Sequence, residues 1–435
     1  MRRKKFFTII VGILAIMAVT LALGSTAGAQ VKFKTLYEFT SNGMYGDSYP
    51  HAPGLVFDPA GNLYGTAEDG YTTGTVYELT PNAGGTWAYH VLFSFNWNDG
   101  ASPRGRLVFD SAGNLYGTTT YGGGPSGCYF TGDCGVVFKL THNSDASWSE
   151  SVLHTFTGEG GDGSNPDGTL IFDAAGNLYG TSQWGGRGMG SVFQFVPNTD
   201  GSWTEHIIYG FAFDGSSGAY PWSDSVVFDA AGNLYGTTAY GGEPGCSPRG
   251  NGCYGLGVAF ELTPNADGSW SEKVLHSFTA GKDGATPTGA SVLDASGNLY
   301  GTTFWGGANN GNGNVYKLSP NSDGTWTQHV LHQFTGGTDG GEPFSGVIFD
   351  AAGNLYGTTT VGGNLSFCNG AGCGVVFRLT PTSSGIWHYR VLHAFEDAPG
   401  AGPAATPIFD AAGNLYGTTN GDGFKTFGSV YEITP

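Results

Sequence analysis

The sequence predicts an all-β fold: a seven-bladed β-propeller of four-stranded blades, closed by the N-terminal strand completing the last blade. Three observations carry that prediction: a segment repeated seven times, a composition suited to short strands and tight turns, and chain ends that complement each other. The segment runs from FDPAGNLYGT through FDSAGNLYGT and LDASGNLYGT to FDAAGNLYGT, with asparagines at Asn62, Asn114, Asn177, Asn233, Asn298, Asn354 and Asn414. Successive copies lie 52 to 65 residues apart. Strand-rich repeats of this length build propeller blades or other stacked arrays, because each unit buries its apolar faces only against its neighbours.

Composition supports the strands. The chain has 77 glycines, 14% aromatic and only 12% charged residues, and no helical periodicity is sustained after the first 30 residues. In the second copy, strand A is expected at Arg106–Phe109, B at Asn114–Thr119, C at Val136–Leu140 and D at Trp148–Phe156. Between A and B, Asp-x-x-Gly-Asn offers a carboxylate for backbone amides and residues that tolerate positive φ, the makings of a tight hairpin.

The chain ends favour a ring over an open array. Val31 to Phe39 aligns with the D strands beginning at Trp87 and Trp148, so a D strand precedes the first A strand. The last repeat ends on a C strand, Gly428 to Ile433, with no D strand after it. The first strand therefore fits as the missing fourth strand of blade seven, which removes two open sheet edges.

Residues 1–29 read as a signal peptide: a basic MRRKK, the apolar run Phe6 to Leu23, and an Ala27-Gly28-Ala29 cleavage signal. Residues 30–435 then form a single propeller domain. The apolar run is also long enough to stay as an uncleaved anchor, and both outcomes remain open. Export places the protein in a secreted or periplasmic location, and no further membrane segment is expected. Removing Arg2, Arg3, Lys4 and Lys5 from the formal −18 leaves −22. Such a surface repels nucleic acid. A monomer is expected.

The repeated DxxGNLYGTT, followed by GxVFxLTP and GxWxxxVLHxF strands, resembles the GloVer tandem-repeat family of exported bacterial proteins. The resemblance covers essentially the whole of residues 30–435. It implies a propeller-like architecture and brings no assigned reaction and no catalytic residues. The family's varied C-terminal anchors have no counterpart after the closing ITP.

In an A-to-D blade, the D-to-A and B-to-C connections share one face, and here these are the long and variable ones. Six tryptophans, Trp87, Trp148, Trp203, Trp270, Trp326 and Trp387, begin D strands and read as packing between blades. Trp97 and Trp222 fall in D-to-A loops and Trp184 and Trp305 in B-to-C loops, where Tyr121 and Tyr240 share the aromatic-Gly-Gly position. These six form the candidate ligand-binding set, since rigid aromatics suit sugar rings; the competing reading is that they shield loop backbone. His154, His276, His332 and His393 share one D-strand position, which speaks for structure, and His51 alone lies in a long loop. Asp47, Asp69, Asp99, Asp162, Asp214, Asp283, Asp339 and Asp397 read chiefly as turn formers. No catalytic residue, metal site or cofactor is expected, and Arg106 is the one charge on an inner strand. Cys128 with Cys134, Cys246 with Cys253, and Cys368 with Cys373 read as disulfides within single B-to-C loops.

Three functions follow: a non-catalytic binding or surface-interaction protein recognising extracellular glycan or an exported protein partner, a secreted carbohydrate-active hydrolase or lyase, and a structural envelope protein. Aromatics without an acid–base constellation favour the first.

Overall fold

The computed structural model describes residues 31–40, 54–68, 73–124, 134–212, 217–222, 226–242, 255–307, 311–398, 400–421 and 427–435. The expected signal peptide, His51, Asp47, Asp69, Asp214, Cys128, Cys246 and Cys253 lie outside them. Residues 31–435 form one compact unit, a ring of seven four-stranded antiparallel blades.

Blade two is representative, with strands Val108–Phe109, Leu115–Thr119, Val136–His142 and Trp148–Thr155 paired in that order. The Asp-x-x-Gly-Asn hairpin forms as the sequence implies. Asp110 Oδ1 accepts the backbone N–H of Ala112 and of Asn114, both at 2.9 Å. Its Oδ2 accepts Asn114 Nδ2 at 2.7 Å and the Tyr116 hydroxyl at 3.1 Å. The same four bonds recur in the sixth blade around Asp350.

That arrangement has a pH consequence. Burial works against ionising Asp350, but hydrogen bonds from Asn354, Tyr356 and Ala352 outweigh it and hold the carboxyl below its ordinary 3.8. Asp110, Asp229, Asp294 and Asp410 behave alike. A carboxylate depressed in the folded state contributes stability that is present above its unfolded pKa and lost as pH falls through the folded one. These carboxylates should therefore add to a fall in the melting temperature below about pH 4. Asp350→Asn should cost about 1 to 2 kcal/mol at pH 7 and flatten that acid limb. Parallel acid limbs in calorimetric melts of the two proteins would disprove the assignment.

Inner strands are shorter than the sequence suggests, two residues instead of the four from Arg106 to Phe109. The residues before each one lend carbonyls to the preceding blade. Thr66 Oγ1 donates to the carbonyl of Pro103, Thr118 to Gly168, Thr302 to Ser345 and Thr358 to Ala405, at 2.7 to 3.3 Å. This accounts for the threonine of Leu-Tyr-Gly-Thr. The tyrosine packs across the same junction. Tyr64 meets Phe109 of the next blade edge-on at 5.1 Å and Trp148 at 6.2 Å. Tyr416 closes the ring in the same way against Phe57 at 5.1 Å and Trp87 at 6.4 Å. The D-strand tryptophans thus pack between blades, and seven apolar clusters each span two adjacent blades.

Lys32–Glu38 pairs antiparallel with Ser429–Thr434, from Lys32 opposite Thr434 to Glu38 opposite Ser429, and completes blade seven. It also grips both neighbours on the outside, Phe33 stacking on His393 at 3.8 Å and Tyr37 on Tyr89 at 4.4 Å. Local departures from the sequence expectation occur beyond the short inner strands. Blade three gains a fifth strand, Gly163–Pro166, and a 3-10 turn spans Cys368–Gly370.

Candidate ligand-binding face and central channel

The D-to-A and B-to-C connections meet on one face, because in blades two to six they pair with one another. Ala101 is bridged to Tyr121 and Ala285 to Trp305. Ser164 faces Trp184 and Ala219 faces Tyr240 in the same manner. Four of the six candidate aromatics therefore occupy one repeated ladder position.

A strained backbone stiffens this face. Ser102, Asn165, Tyr220, Thr286 and Glu342 each precede a proline yet hold φ between 51° and 55°, a conformation that costs about 1 kcal/mol or more for a side-chain-bearing residue. Each N–H is donated to the preceding blade, as from Tyr220 to the Met189 carbonyl at 2.8 Å and from Glu342 to the Asn312 carbonyl at 2.9 Å. These bonds hold the backbone in place.

The candidate aromatics fall into separate groups. Tyr220 stands between Trp184, at 4.4 Å, and Tyr240, at 5.6 Å. Trp222 meets Phe344 at 6.0 Å, Phe344 meets Phe304 at 5.8 Å, and Phe304 meets Trp305 at 5.4 Å. The second row runs from a loop of blade five to the channel mouth. All but Trp97 of the predicted six are half-buried, and Trp97 is 54% exposed. Sequence reading missed Tyr220, Phe304 and Phe344; a pre-proline tyrosine and a Phe-Trp pair were the available signals.

Inside the ring lies a cavity of about 310 Å³, lined by all seven inner segments together with Trp222 and Phe344. Two arginines reach it and differ in circumstance. Arg104 is clamped by Glu68, Nη2 to Oε1 at 2.9 Å and Nε to Oε2 at 3.2 Å. Burial opposes its charge, but Asp167 and Glu68 more than restore it. Asp167 also accepts the Thr120 hydroxyl at 3.2 Å. Arg106 makes no hydrogen bond or ion pair among the described residues, and burial alone lowers its pKa.

Other titratable groups serve the frame. His154, His276 and His332 approach Asp162, Asp283 and Asp339 at 3.2 to 3.4 Å, while the same aspartates bind Thr157, Thr279 and Thr335 within the turn. His154, Asp162 and Glu205 come close enough to hold a cation. The His–Asp pair is nevertheless repeated in two blades where no glutamate joins it, so it reads as a turn brace. Cys368, Cys373 and Asp397 also converge, but the two cysteines are joined as a disulfide and offer no thiolate. Cys134 is disulfide-bonded too.

The repeat itself identifies the chain's relatives. Residues 245–435 match the Gloeobacter/Verrucomicrobia repeat. This stretch holds the outer half of blade four, blades five and six, and the three inner strands of blade seven, and the same Asp-x-x-Gly-Asn-Leu-Tyr-Gly segment stands in every blade. No curated protein sequence matches the chain. Among solved structures, a Bacteroides uniformis protein provisionally assigned as a 6-phosphogluconolactonase is similar at 15% identity and a TM-score of 0.50, over 82% of this chain and 88% of that one. PorZ of Porphyromonas gingivalis, a surface component of its type-IX secretion system, is similar at 12% identity and a TM-score of 0.51, over 89% of this chain. The alignment spans 46% of PorZ. At such identities the likeness is one of fold.

Proposed function

We propose that this is an exported, non-catalytic binding protein whose long-loop face takes extracellular glycan. The observation that carries the reading is the aromatic row from Trp305 through Phe304 and Phe344 to Trp222, which ends in the central cavity. Flat apolar faces at low entropic cost, set on a strained and cross-linked rim, are what a sugar ring needs for stacking. Propellers host both binding and catalysis, so the choice rests on the site. Here Glu68 and Asp167 are engaged with Arg104, and Asp167 is the one carboxylate among the described residues that line the cavity, where hydrolysis uses a pair. The Cys368–Cys373 disulfide fits an oxidising compartment.

A glycan array probed with residues 30–435, with turnover followed on the same sugars, tests the reading. Trp222→Ala should weaken a bound glycan by about 1 to 3 kcal/mol and leave the melting temperature nearly unchanged, whereas Trp305→Ala should weaken binding and also lower the melting temperature, because its ring packs on the cluster joining blades four and five. Turnover without saturable binding would favour the hydrolase or lyase. Stability lost with binding intact would make these aromatics structural.

A further inference from the structure

We infer that the central cavity is specific for an acidic sugar, with Arg106 and Ser291 taking its carboxylate or phosphate while its ring lies against Trp222 and Phe344. The identity of the ring rests on the glycan reading above; the anion site stands on observations of its own. Arg106 is the cation on the cavity wall without a counter-charge among the described residues, whereas Arg104 is neutralised at the rim by Glu68 and Asp167. An unpaired guanidinium in a partly desolvated channel is a costly arrangement unless a ligand anion completes it. The sequence also leaves room for it. A Cβ on Gly54 would stand 2.9 Å from Arg106 Cδ, so the arginine stem lies in the space a side chain at 54 would occupy.

The second observation comes from blade five. Ser291 lines the same cavity and its buried Oγ has no hydrogen-bond partner among the described residues. Buried hydroxyls are ordinarily satisfied, so an orphaned one on a residue that lines the cavity is a donor left for a ligand oxygen. At about 310 Å³ the cavity is at the small end of ligand sites, the scale of a single sugar unit. The protein's −18 formal charge opposes an anion in the cavity only weakly, because salt screens exposed charges beyond about 8 Å.

The test measures, by titration calorimetry, trigalacturonate against its methyl ester and glucose 6-phosphate against glucose. Wild type should bind an acidic probe at least about ten-fold more tightly than its neutral partner, and whichever acid is preferred distinguishes a uronate from a phosphate source. Arg106→Gln should erase that preference. Ser291→Ala, which leaves folding undisturbed because it removes only an unpaired hydroxyl, should reduce it about five-fold. Equal affinity for acidic and neutral probes, or an Arg106→Gln protein that keeps the preference, overturns the inference. If neutral sugars still bind in a Trp222-dependent way, the glycan reading survives that failure. If the acid preference depends on Arg106 while Trp222→Ala changes nothing, the anion site stands and aromatic stacking falls.

Discussion

Deleting residues 31–40 should cost on the order of 5 kcal/mol and turn a monomer into a species that associates through its open edge. The strand supplies one fourth of blade seven, and its loss uncovers the whole of Ser429–Thr434. It also removes Phe39, which is 3% exposed, and the half-buried Phe33, Leu36 and Tyr37 from the two clusters that join blade seven to its neighbours. Burial of such side chains contributes about 1 to 3 kcal/mol each, less where they are half-exposed. Because the strand closes the ring, the loss should appear as a lower unfolding midpoint in denaturant and as early elution on gel filtration. An unchanged midpoint with monomeric elution would rule out closure by this strand.

Gly357→Ala should destabilise by about 3 kcal/mol, far more than one added methyl suggests. The residue lies in Leu355–Thr359 opposite Phe377, and a Cβ there would stand 2.6 Å from Phe377 Cζ and 3.2 Å from Val347 Cγ1. Phe377 is fully buried in the junction between blades five and six, so its ring cannot swing away without opening that cluster. Gly353 in the preceding turn makes the control. Its φ is +80° and nothing lies within 4 Å of a Cβ there, so Gly353→Ala should cost only the 1 to 2 kcal/mol of an L-residue in left-handed backbone, about half as much. Equal unfolding midpoints for the two variants would refute the close-packing account of the repeated glycine.

The fold was legible because each blade writes its own instructions locally. Asp110 and Asn114 are four residues apart, and the hairpin they form needs nothing beyond them. The tyrosine, glycine and threonine that follow repeat because every blade junction makes the same demands of them. The candidate site was legible only in part. Trp222 and Trp305 stood out as aromatics away from the D-strand position, but their connection runs through Phe304 and Phe344, which belong to different blades. Arg106 was visible as a lone charge on an inner strand. Ser291 carried no signal, since a serine before a short apolar strand is ordinary.

By itself, then, the sequence determined blade number, strand order, the closing strand and the pairing of Cys368 with Cys373, all of which follow from periodicity, turn chemistry and short spacing. Only the tertiary structure decided which side chains share the channel, that Glu68 satisfies Arg104 and that no described residue satisfies Arg106. The physical reason is distance along the chain. Turns and hairpins are settled by residues a few positions apart, whereas the channel is assembled from seven inner segments that meet only once the ring has closed.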